Sequence, residues 1–272
     1  QVSTYSISGR VTDGSGNGVP GVAMNALPTS CAGATAANPV LLVTGWGGSV
    51  GKTLSAEDEN LRFIGQSLTG HGYIEGCNLF YASGTSPEKW QEENAVVIRD
   101  QICTAQAAYR KKYDGKTPVF NIIAHSYGGL RSRAYLESDL YSSACPVETG
   151  ETAPVTVDNL ITLGTPHAGE WGDLPLATLL GLIGLADFGG NYPAIAELAP
   201  PVRLWQNLSS RQPAGVAYHV IGGDARSQSA DYSVVFKYMY DKWVPTTRND
   251  PSDMAVHREG SFVLSSFPYS YL

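Results

Sequence analysis

From Pro39 onward the chain alternates between short apolar runs and longer stretches whose apolar residues recur every three or four positions. Val40–Val43, Asn78–Ala82, Val119–Ala124, Leu160–Leu163 and Ala217–Ile221 are continuous and rich in β-branched residues, the pattern of strands buried on both faces of a parallel sheet. Between the second and third runs, Ala95, Ile98, Ile102, Ala105 and Tyr109 repeat at helical spacing. Ser86-Pro87 ahead of them supplies a cap residue followed by a proline suited to the first helical position. Strand, helix and strand in this order predict an α/β fold, a doubly wound and mostly parallel sheet joined by right-handed crossovers. Before Pro39, residues 5–26 alternate as two short strands around a Gly/Asn turn. They are too few for a sheet of their own. Residues 1–30 are therefore expected as an extension packed on a main domain spanning 31–272.

Two glycine-bearing turns carry candidate chemistry. The third strand runs into "AHSYGGLRSR", which places Ser126 between a strand and a helix with Gly128 and Gly129 immediately after it. That is the arrangement of a nucleophile elbow, with Ala124 where the usual G-x-S-x-G pattern has its first glycine. Small residues are needed there because strand and helix approach closely. The first strand runs into "TGWGGSVGKT", which superficially suggests a phosphate-binding loop. A Walker loop requires glycine five residues before Gly51, and that position is Trp46. The indole would crowd a phosphate, and the P-loop reading fails.

Composition narrows the partners. Net charge is −7, with no long run of Lys and Arg, so nucleic acid is not expected. The longest apolar run, residues 174–186, has 13 residues and contains Pro175, Gly181 and Gly184, too short to cross a bilayer. The chain opens on Gln1, as a processed, mature N-terminus would. Its four cysteines show no CxxC spacing, and metal-ligand spacing is absent, so no metal site is expected. An even count in a secreted chain permits two disulfides, Cys31 with Cys77 and Cys103 with Cys145, each tying neighbouring elements. Four buried free thiols are the alternative.

"PVLLVTGWGG", "FNIIAHSYGGLRSR", "ITLGTPHAGE" and "AELAPPVRLWQNLSS" followed by "VAYHVIGG" together resemble the α/β-hydrolase superfamily, and within it secreted bacterial lipases and esterases. Residues 5–26 resemble the opening hairpin of carboxypeptidase-regulatory-like β-sandwich modules. The hydrolase resemblance implies ester hydrolysis through an acyl-enzyme on Ser126, without an organic cofactor, on an ester or lipid substrate. It implies an oxyanion hole formed by the backbone N–H groups of Trp46 and Tyr127. It also implies a lid or cap inserted over about residues 170–213, where "LPLATLLGLIGLADF" is apolar almost all round and could meet a lipid interface, or else form a buried core helix.

The acid and base remain open. In this fold the order along the chain is Ser, then Asp or Glu, then His. His71 precedes the elbow, His125 and His167 sit within motifs and shape the site, and His219 lies in the fifth strand, which leaves His257. Asp224, Asp241 and Asp253 compete as the acid. In one triad His257 is the base and Asp241 or Asp224 its orienter, compact as in cutinases. In the other, slightly preferred, Asp253 is the acid and the base lies beyond Leu272, in a missing C-terminal segment carrying the closing strand and helix. Two other functions compete with a lipase or esterase: a catalytically silent hydrolase fold used as a binding module, and a polyester or cutin depolymerase using the same chemistry.

Overall fold

Every strand expected from the pattern is present. The computed structural model describes residues 15, 31–45, 61–146, 152–165, 167 and 213–221. The N-terminal hairpin and the lid, Ser15 and Pro213 aside, lie outside these residues. In chain order the elements are β1 (Val40–Val43), α1 (Arg62–Gly70), β2 (Leu79–Ala82), α2 (Gln91–Lys112), β3 (Val119–His125), α3 (Tyr127–Leu136), α4 (Asp139–Ser142), β4 (Cys145–Pro146), β5 (Thr152–Ala153), β6 (Thr156–Leu163) and β7 (Ala217–Ile221). Five strands form one sheet in the order β2-β1-β3-β6-β7, every pair parallel. β4 and β5 pair as a short antiparallel ribbon beside it.

Strand alternation explains the layering. Leu41 and Val43 face one side of the sheet and join Ala95, Ile98 and Ile102 of α2 and Leu130 and Ala134 of α3 in the larger core cluster. Val40 and Leu42 face the other side, against Leu61 and against Ile64 and Leu68 of α1. Both faces are covered, which is why these strands read as unbroken apolar runs.

Two boundaries differ from the sequence reading by more than one residue. α2 begins at Gln91, not at Pro87, because the Glu93 carboxylate accepts the Trp90 N–H at 2.9 Å and starts the helix there. Ser86 instead belongs to a preceding turn. Its N–H donates to the Asn94 side chain and its hydroxyl accepts from Glu88 N–H. β6 begins at Thr156, four residues before the expected Leu160. The register against β3 shifts between Phe120 and Asn121, leaving Asp158 in a bulge on the exposed side. A polar residue thus interrupts the apolar run without ending the strand.

Both cysteine pairs are bridged as expected. Cys31–Cys77 ties the segment before β1 to the turn before β2, with Cα atoms 5.7 Å apart. Cys103–Cys145 ties α2 to β4, with Cα atoms 5.3 Å apart.

Candidate active site

The chain passes from β1 to β2 on one side, then returns past β1 to β3 on the other. The carboxyl ends of β1 and β3 therefore bound the point at which strand order reverses, where a parallel sheet leaves a crevice for a ligand. Thr44 and Gly45 leave β1 there, and Ser126 leaves β3 beside them.

Ser126 stands between the last residue of β3 and the first of α3, with φ 52° and ψ −129°. It shares a positive φ with only one other non-glycine among the described residues, Asp114, which precedes Gly115 in the turn after α2. For a serine this conformation costs about 1–3 kcal/mol and persists only where surrounding contacts impose it. Those contacts are identifiable. Ser126 N–H donates to Leu163 O at 2.8 Å, extending the β3–β6 ladder one residue into the turn. The Thr165 hydroxyl donates to Ser126 O at 2.8 Å, and Gly129 N–H reaches the same carbonyl at 3.0 Å.

The glycines are dictated by proximity. A Cβ on Gly128 would collide with the Thr44 carbonyl oxygen and lie 2.8 Å from that of Val43. On Gly129 it would collide with the Thr165 hydroxyl and lie 2.6 Å from its methyl carbon. On Gly45 it would lie 3.0 Å from Ser126 Cβ. Helix α3 thus enters directly against the end of β1, and its N-terminus opens beside Ser126. The first N–H groups of a helix have no carbonyl partner within it and carry its positive dipole end, so this corner suits a developing negative charge.

Behind the elbow lies a buried polar network that the motifs did not disclose. Arg133 and Glu137, one turn apart on α3 and each about 1% exposed, pair at 2.7 Å. Arg133 also approaches His167 Nδ1 at 3.3 Å, while His167 Nε2 lies 2.8 Å from the Thr162 hydroxyl. A guanidinium only donates, so Nδ1 accepts and the His167 proton sits on Nε2, donating to Thr162. The Thr162 hydroxyl passes its own proton on to the His219 carbonyl at 3.5 Å. Burial and the adjacent Arg133 charge hold the His167 imidazole well below the ordinary histidine range. It stands as a neutral, buried imidazole in this network. Burial, with the Glu137 charge beside it, pushes the Tyr218 hydroxyl upward.

Of the sequence-predicted site residues, the structure places Ser126 and Tyr127 together at this corner. Trp46, Asp224, Asp241, Asp253 and His257 lie outside the described residues. His71 ends α1 and His219 lies within β7, where its Nε2 is 3.0 Å from Asn159 Oδ1. Thr165 and the two arginines of "GLRSR" were missed. Nothing in a sequence marks Arg131 as buried, because its partners are carbonyls and a hydroxyl remote in the chain, and the local Arg133–Glu137 spacing looks the same as that of an exposed helical ion pair. Among the described residues no group of three or more His, Cys, Asp or Glu side chains is placed to hold a metal ion.

Comparison with solved structures agrees with this architecture. Bacillus licheniformis lipase BlEst2 in its mature form matches with a TM-score of 0.52 and 18% identity, over 90% of this chain and 86% of that one. Staphylococcus hyicus lipase matches with a TM-score of 0.50 and 16% identity, over 91% of this chain and 89% of that one. No protein-family model and no curated protein matches the sequence. At such identities the likeness establishes the fold. The chain has an α/β-hydrolase fold resembling that of bacterial lipases.

Proposed function

We propose that this protein is a secreted serine carboxylic-ester hydrolase, a lipase or esterase that works through an acyl-enzyme on Ser126. The observation that carries the reading is the strained Ser126, a serine held at positive φ at the strand-order reversal by hydrogen bonds from its neighbours. A fold that needed only a βα turn would place glycine at φ 52°. Ester hydrolysis supplies a reason for a hydroxyl there. Ser126 Oγ attacks the ester carbonyl while its proton passes to an imidazole, and the backbone N–H groups of Trp46 and Tyr127 receive the oxyanion. The alkoxide leaves with that proton, and water then releases the acid. The base is His257, oriented by Asp241 or Asp224, or a histidine beyond Leu272 oriented by Asp253.

The names of the matched lipases support an ester or lipid substrate. The segment over 170–213, read from its apolar sequence, is the lid that would meet it. Two disulfides suit an oxidising compartment, and no helix among the described residues is long and apolar enough to cross a membrane. The test is a fluorophosphonate probe with intact mass and peptide mapping, alongside turnover of p-nitrophenyl butyrate. Labelling at Ser126, with turnover lost in Ser126→Ala, is expected. A folded protein that neither labels nor turns over the ester would be the binding module instead. Preference for polymer films over emulsions and soluble esters would make it a depolymerase.

A further inference from the structure

Arg131 projects from α3 five residues after Ser126 and is 0% exposed. Removing a guanidinium from water costs several kcal/mol unless its donors are well matched. One terminal nitrogen donates to Gly45 O at 2.8 Å and to the Thr85 hydroxyl at 3.0 Å, with Thr44 O more distant at 3.4 Å. The guanidinium carbon lies 4.9 Å from the centre of the Tyr127 ring, so the cation also packs over the residue that opens α3.

The Gly45 carbonyl is one half of a peptide unit whose other half is the N–H of residue 46. In a planar trans peptide the two point in opposite directions. A charge that holds the carbonyl therefore aims the N–H. That peptide needs such a lock, because the glycine on its amino side leaves it free to rotate. Gly45 must stay glycine, since a Cβ would press on Ser126 Cβ at 3.0 Å. A charged donor on the carbonyl also polarises the peptide and makes its N–H a stronger donor.

We infer that Arg131 is a positioning residue for ester hydrolysis, clamping the carbonyl of Gly45, the residue that lies beside Ser126, and so setting the direction of the peptide whose N–H serves as an oxyanion donor. This rests on the hydrolase reading of Ser126. The clamp acts where the tetrahedral intermediate gains charge, so it affects the transition state and not ground-state binding.

The experiment compares wild type with Arg131→Met, Arg131→Lys and Thr85→Val, the last loosening the guanidinium without removing it. Each is assayed for kcat and KM on p-nitrophenyl butyrate and for inhibition by a phenylboronic acid, a tetrahedral mimic. Arg131→Met is expected to lower kcat on the order of 100-fold, the scale for losing one oxyanion donor, with KM little changed. Boronate affinity should fall alongside kcat. Arg131→Lys should recover part of both, and Thr85→Val should show a smaller loss of the same kind. If Arg131→Met does not fold, the other two variants decide. Variants whose kcat and boronate affinity match wild type, or whose losses follow only their melting temperatures, overturn the inference while leaving an active wild type and its nucleophile intact. A wild type inert to both ester and fluorophosphonate overturns the function and this inference together.

Discussion

Replacing Gly128 by alanine puts one methyl group where α3 meets β1, and its cost follows from what cannot move. The methyl would overlap the Thr44 carbonyl oxygen and stand 2.8 Å from that of Val43. Both are backbone atoms at the end of a strand paired on its two sides, with β2 and with β3. Retreat of β1 would break ladder hydrogen bonds. Retreat of α3 would break the Thr165 and Gly129 bonds to Ser126 O and strip the Arg131 clamp. Overpacking of this kind typically costs about 1–3 kcal/mol, here toward the upper end, and one or two lost hydrogen bonds add about 1 kcal/mol each. Helix propensity opposes this, since alanine is better than glycine by about 1 kcal/mol. The net expectation is a loss of about 3 kcal/mol. Gly70 at the end of α1 is the matched control, because a Cβ there meets nothing within 4 Å. Gly70→Ala should change stability by less than about 1 kcal/mol, in the favourable direction. Urea denaturation followed by circular dichroism gives both values, and ester turnover reports the site. Should Gly128→Ala denature with Gly70→Ala and keep full turnover, the close approach of α3 to β1 is wrong.

Ser126→Gly should raise stability by about 1 kcal/mol, strain relief outweighing glycine's greater unfolded-state freedom, while abolishing turnover; a lower melting temperature would argue against strain at the elbow. Replacing Cys103 and Cys145 by serine opens a loop spanning a sequence separation of 42, which chain entropy values at about 4 kcal/mol. Urea midpoints of the oxidised wild type and that double variant measure it, and equal midpoints would contradict the estimate. His167 has a depressed pKa when folded, so the unfolded state binds the extra proton. The stability it confers is present above the unfolded histidine pKa, near 6.5, and declines as pH falls below it, by up to about 1.4 kcal/mol per pH unit. His167→Gln should flatten this decline between pH 7.5 and 5, and parallel profiles for wild type and variant would place the acid sensitivity elsewhere.

The sequence permitted the two disulfides that the fold then decided, and taken alone it determined the five parallel strands, the amphipathic stripe of α2 and the position of Ser126. These are written locally. Two-sided burial demands uninterrupted apolar runs, a helix face demands its period, and an elbow demands small residues on either side of the serine. Boundaries were less legible where side chains reached back to the backbone, as Glu93 does to start α2 and Asn94 does to hold the Ser86 turn. A bulge likewise hid the first half of β6, because one outward Asp158 looks the same in sequence as the end of a strand. Only the tertiary structure decided which polar residues support the elbow. Arg131 meets Gly45 from 86 positions away, Thr165 reaches Ser126 across 39, and His167 is kept neutral by burial and, after that, by an arginine on a different element. No periodicity records such pairings, since each depends on the folded sheet bringing the ends of β1, β3 and β6 together.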